Sequence, residues 1–143
     1  MIEIYDADSG NPTSHLANLS SLGYAGNNGS AMFAGFVVAG NAPEQVLVRG
    51  IGPALSGFGL GGLLAAPALT LYDSGGNLLA TNTGWGGTAT LSAAFAEVGA
   101  FALPPGSNDT ALLVALAPGV YTAQVTGVNN TSGAAILELY EVP

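Results

Sequence analysis

The sequence predicts an all-β fold, a two-sheet antiparallel β-sandwich of immunoglobulin-like or jelly-roll type with one short helix and an extended N-terminal strand. Three observations predict it. Seven apolar segments of strand length follow one another from Ala31 onward, each bounded by Gly, Pro or Asn turn chemistry. Only one segment shows helical spacing. With 49% hydrophobic residues, 22 Gly, 8 Pro and 7% charged residues, the chain is too apolar and too weakly charged to stay disordered.

Taken in order, the first element is Ile2–Asp6 (IEIYD), whose branched aliphatics alternate with Glu and Tyr as in a half-buried strand. Ala7–Ser30 is rich in Ser, Asn and Gly and reads as an extended connector with a short apolar stop at Leu16–Leu19. Residues 1–30 are thus expected to be a docking arm and residues 31–143 the sandwich. The strands of the sandwich are Ala31–Ala39, Gln45–Ile51, Ala68–Asp73, Leu78–Asn82, Thr110–Leu116, Val120–Val128 and Ala134–Val142. Asp73-Ser-Gly-Gly-Asn77 predicts a tight hairpin, and Pro118-Gly119 a turn. The helix is capped by Thr90 or Ser92, shows Leu91, Phe95 and Val98 on one face, stops at Gly99 and is expected to lie across an open end of the sandwich.

The chain carries nearly the same strand twice, IEIYD at Ile2–Asp6 and LELYE at Leu137–Glu141. The copies are a whole β-domain apart, too far for a solenoid repeat. Such a chain holds one complete unit plus a spare strand, as a member of an array does.

Charge excludes several functions. Lys is absent, Arg49 is the one strong base, and the formal net charge is −8. Nucleic acid and anionic membranes are both recognised by clustered Lys and Arg, so neither is an expected partner. The uncharged stretch Gly50–Leu71 is interrupted by Pro53, Pro67 and several Gly, which forbid a spanning helix, so no membrane insertion is expected. Without Cys there is no disulfide or thiolate chemistry. No N-terminal targeting segment is visible. Sheet edges are usually guarded by charge, and that guard is mostly missing here.

The passage ALTLYDSGGNLLATN, followed by TALLVALAPGVYTAQVTGVNNTSGAAILELYEV, resembles the bacterial pre-peptidase C-terminal domain family over Ala68–Val142. The run from SHLANLSSLG through VLVRGIGPAL to ELYE resembles a β-sandwich repeat found in tandem in very large bacterial surface proteins. The resemblance implies a structural or adhesive sandwich at the cell surface and no reaction.

Candidate sites are few. Asp6-Ala-Asp8-Ser-Gly10-Asn11 has the opening of a calcium loop, with alternate oxygen ligands and a Gly turn, but lacks the third acid and the closing Glu. Calcium through Asp6 and Asp8 is the one weak metal candidate, and no other cofactor is expected. Gly57-Phe-Gly59-Leu-Gly-Gly62 matches G-x-G-x-x-G but precedes Pro67 and a strand rather than a helix, so it reads as a close-packed glycine loop. His15 is the sole imidazole and has no nucleophile elbow with it, so no catalytic residues are assigned. Trp85, in a Gly-rich loop, is either a lid on its own core or a stacking platform for a glycan. Arg49, in an apolar strand, invites a buried pair with Glu44, Asp73 or Glu97.

These readings converge on a non-enzymatic subunit of an extracellular filament, joined head to tail to copies of itself. The expected interface comprises Ile2, Glu3, Ile4 and Tyr5 of one copy and Leu137, Leu139 and Tyr140 of the next. Five of the nine acids, Glu3, Asp6, Asp8, Glu138 and Glu141, lie on these terminal segments and would crowd such a joint unless they face solvent or share a cation. The alternative is a carbohydrate- or surface-binding adhesion module from a larger bacterial surface protein.

Overall fold

The computed structural model describes residues 16–27 and 29–143. Eight strands form two four-stranded antiparallel sheets. They are β1 (Asn18–Ala25), β2 (Met32–Val38), β3 (Glu44–Ile51), β4 (Pro67–Asp73), β5 (Leu78–Asn82), β6 (Thr110–Leu116), β7 (Gly119–Gly127) and β8 (Gly133–Val142). One sheet runs β1-β8-β3-β6 and the other β2-β7-β4-β5. First pairs with eighth, second with seventh, third with sixth and fourth with fifth. This nested pairing, as if one long hairpin had been rolled up, is the jelly-roll form of the sandwich.

The seven predicted strands of the sandwich are present with ends moved by a residue or so. The eighth is a correction. The part of the expected connector from Asn18 to Ala25 is strand β1, paired with β8 from Asn18–Tyr140 to Ala25–Gly133. Its sequence, NLSSLGYA, has little intrinsic strand preference. The ladder to β8 and the inward Leu19 and Ala25, which pack on the core, outweigh that deficit.

One apolar core lies between the sheets and includes Val46, Val48, Leu69, Leu71, Ala123, Val125, Leu137 and Leu139. A second covers the opposite face of the β1-β8-β3-β6 sheet, where Leu47, Ile51 and Ala111 meet Leu55, Trp85, Phe95 and Leu103. That sheet is therefore buried on two faces along β3, whose burial is continuous from Val46 to Ile51. The other sheet has one wet face, and β7 alternates buried and half-exposed residues accordingly.

The cover over the second core consists of a 3-10 helix, Pro53–Phe58, helix α1, Ala89–Glu97, and the loop after it. Helix α1 presents Leu91, Phe95 and Val98 to that core as predicted, and Gly99 follows it at a φ of +70°. Its cap is Thr88, not Thr90 or Ser92: the Thr88 hydroxyl accepts from the Leu91 N–H at 3.3 Å. It also lies on a sheet face rather than across an open end, because Phe95 packs among the outward residues of β3 and β6.

Candidate functional site

The strand that Ile2–Asp6 copies is β8, and β8 is interior. It pairs with β1 on one side and β3 on the other. Leu137 and Leu139 point into the inter-sheet core and are buried, while Tyr140 is half-buried against the second core. These three side chains are therefore occupied within their own sandwich, which corrects their expected place on a joint surface. Ile2, Glu3, Ile4 and Tyr5 lie outside the described residues, as do Asp6, Asp8 and His15.

Both lateral sides of the sandwich end in uncharged strands, β5 and β6 on one and β1 and β2 on the other. β1 and β2 are the end strands of their sheets on the same side of the sandwich, and neither NLSSLGYA nor MFAGFVV contains a charge or a proline. Long edges of this kind are templates for a further strand. Along this side Leu19 of β1 and Met32, Ala34 and Phe36 of β2 are only partly buried against the core, so its rim is open there. Leu22 and Tyr24 on β1, and Phe33 and Val37 on β2, are each more than half exposed.

The backbone of β1 has a definite polarity toward this edge. The Glu141 N–H donates to the Ala17 carbonyl at 2.9 Å, so Ala17 and the alternate residues Leu19, Ser21 and Gly23 aim their peptide groups at β8. Asn18, Ser20, Leu22 and Tyr24 aim theirs the other way, where no described strand pairs with them.

Arg49 does not pair with Glu44, Asp73 or Glu97. It stands directly opposite Glu138 in the β3–β8 ladder, fully buried. Its Nε donates to Glu138 Oε2 at 2.8 Å, and Nη2 makes an ion-pair contact with the same oxygen at 2.8 Å. Nη1 donates to the Phe101 carbonyl at 2.6 Å. The guanidinium carbon lies 4.8 Å from the Phe95 ring centroid and 4.5 Å from that of Phe101, within cation–π range. Ser20 Oγ approaches Glu138 Oε1 at 3.4 Å. Glu138 is thus removed from the terminal acids expected to crowd a joint, since its charge is neutralised inside its own subunit. Beside it, burial and then the Glu138 charge push the Tyr140 phenol above its ordinary pKa.

Trp85 is a core residue. Its indole is 4% exposed, its ring centroid is 5.5 Å from that of Phe95, and its Nε1–H donates to the Pro104 carbonyl at 3.1 Å. Stacking on a sugar needs an open ring face, and this ring has none to offer.

The glycine loop carries a different correction. The 3-10 helix ends at Gly59, whose φ is +76°, and no α-helix follows it before β4. Residues 57–62 are exposed, and a Cβ on Gly57, Gly59 or Gly61 would meet nothing within 4 Å, so the loop is open rather than close-packed. Among the described residues no three His, Cys, Asp or Glu side chains converge to hold a metal ion, and no helix is long and apolar enough to cross a membrane.

Two structural anchors escaped the sequence reading. Asp109, fully buried, accepts from the Gly52 N–H at 2.8 Å and the Ala54 N–H at 3.2 Å, tying the start of β6 to the 3-10 helix. Asp73 organises the predicted hairpin, accepting from the Gly75 and Asn77 N–H groups at 2.9 Å each. Asp109 follows Ser107-Asn108 in what reads as a turn, and only its contacts reveal the role. The chain matches no protein-family model and no curated protein.

Proposed function

We propose that this chain is a structural subunit of an extracellular protein filament and polymerises head to tail through its N-terminal strand. One observation carries the reading: the β8 place that Ile2–Asp6 resembles is already filled, within two four-stranded sheets that run from Asn18 to Val142. A second copy of that strand is surplus to its own sandwich and available to another. Strand addition supplies backbone ladder bonds, and a contact between unlike surfaces propagates as an open filament where its rotation does not close. Burying Ile2 and Ile4 would contribute about 1.5–3 kcal/mol each. The scarcity of Lys and Arg, which leaves few sites for trypsin-like proteases, suits an exposed, long-lived material at the cell surface.

The test is deletion of residues 1–8. Soluble monomers are expected, and fibres persisting in electron micrographs would sink the reading.

A second reading, a surface-binding adhesion module, is favoured by the wet face of the β2-β7-β4-β5 sheet. There Phe33, Val37 and Val120 stand exposed among Thr70, Thr122 and Gln124. The burial of Trp85 removes the candidate platform for a stacked glycan. A full-length chain that elutes as a monomer at every concentration would favour this alternative.

A further inference from the structure

We propose that the free edge of β1 is the acceptor for the N-terminal strand of a second copy of this chain. Ile2–Asp6 of that copy lies antiparallel to β1, with Ile2 and Ile4 toward the rim of the core and Glu3 and Tyr5 on the opposite face. The proposal rests on the filament reading and names the surface that reading requires.

The sheets end in four strands, β1, β6, β2 and β5, and pairing chooses among them. A strand with the pattern of Ile2–Asp6 is present in the fold as Leu137–Glu141 of β8, and it pairs with β1 and β3. β3 is filled on both sides, by β8 and β6. β1 pairs with β8 through alternate peptide groups and turns those of Asn18, Ser20, Leu22 and Tyr24 to the opposite edge, where an antiparallel strand meets a second full ladder. None of the other three end strands pairs with β8.

Side chains agree with this choice. Period-2 alternation puts Ile2 and Ile4 on one face of the added strand, and the inward face beside β1 is the open rim formed by Leu19, Met32 and Phe36. The two isoleucines would extend the core there as Leu137 and Leu139 do on the other side of β1. On the outward face Glu3 falls opposite the exposed Leu22, with Tyr5 diagonal to it. Because β1 and β2 carry no charge, Glu3 and Asp6 meet no like charge from either strand.

Reach is sufficient. Residues 7–16 span at most roughly 35 Å when extended at about 3.3–3.6 Å per residue, enough to leave one sandwich for the next. The same length also permits folding back on the chain's own β1, so the test separates the two arrangements.

Leu22→Glu places a negative charge against Glu3 of the incoming strand on the proposed edge, and Val37→Glu places one on β2. Leu22→Glu is expected to abolish fibres of the full-length chain and Val37→Glu to leave them. The reverse result would overturn the assignment to β1 while sparing the filament reading, which falls instead if fibres survive loss of residues 1–8. Since the chain has no Cys, a Glu3→Cys chain can be mixed with a mass-tagged Leu22→Cys chain and oxidised. A covalent heterodimer is expected. Fibres without that heterodimer, or a Glu3→Cys/Leu22→Cys double variant that closes only within one chain, would overturn the proposal.

Discussion

Arg49 and Glu138 face each other across the β3–β8 ladder and join through an ion pair of 2.8 Å with the guanidinium wholly buried. The pair ties the last strand to the centre of its sheet, and the Phe101 carbonyl and two aromatic rings complete the surroundings of the cation. Its position also bears on assembly. A strand that carries half of a buried ion pair is costly to displace, so the proposed strand addition would extend the sheet rather than replace β8.

Breaking this pair from one side is expected to be expensive. Glu138→Gln leaves a buried guanidinium without its counter-charge and should cost about 3–5 kcal/mol, read from urea unfolding at neutral pH. Arg49→Met with Glu138→Leu removes both charges and should recover most of that loss. A Glu138→Gln loss below about 1 kcal/mol would show that water reaches the site.

Asp109→Ala strips the acceptor from two N–H groups at the start of the 3-10 helix, one of them fully buried with Gly52. An unsatisfied buried donor costs about 1–3 kcal/mol, so a loss of that order is expected in the same unfolding measurement. Hydrogen exchange at Gly52 and Ala54 should accelerate more than exchange in β7, which lies in the other sheet.

Much of the sandwich was legible because its signals are local. QVLVRGI, ALTLYD and VYTAQVTGV carry strand preference in their own residues, and Asp73-Ser-Gly-Gly-Asn77 carries its turn. The misses depended on partners distant in sequence. Asn18–Ala25 has the composition of a linker and becomes a strand because β8 pairs with it. Arg49 advertised a buried acid, but choosing Glu138 over Glu44, Asp73 or Glu97 required the β3–β8 register. For Trp85 the lid reading holds and the glycan platform does not, but its partner Phe95 sits on a helix whose resting face was not legible. Of the candidate site, the copied strand was plain in the sequence, whereas the uncharged edge became visible only once β1 was known to end a sheet.

Acid should loosen the Asp73 hairpin as its carboxylate is protonated. The Asn77 side-chain amide, then the Asn77 and Gly75 backbone amides, hold the Asp73 carboxyl below its ordinary pKa. A depressed folded pKa means stabilisation that is complete above the unfolded value and lost as pH falls through the folded one. Carbon-13 titration of the carboxyl should place its midpoint below that of free aspartate, with the Gly75 and Asn77 amides losing exchange protection over the same range. Asp73→Asn should show the loosened hairpin at neutral pH, and unchanged exchange in that variant would contradict the assignment.

The Tyr140 phenol should titrate above the ordinary tyrosine value. Burial disfavours its phenolate, and the Glu138 charge two residues away disfavours it further, against a smaller opposing pull from Arg49. Here the folded pKa is raised, so the neutral phenol's contribution is fully present below the unfolded value and lost as pH rises through the folded one. Absorbance titration near the phenolate band should resolve a late-ionising tyrosine that Tyr140→Phe removes. Removing both charges in the Arg49→Met/Glu138→Leu double variant separates the causes. If burial dominates, the late step persists in that background; a return to the position of free tyrosine would assign the shift to the Glu138 charge instead.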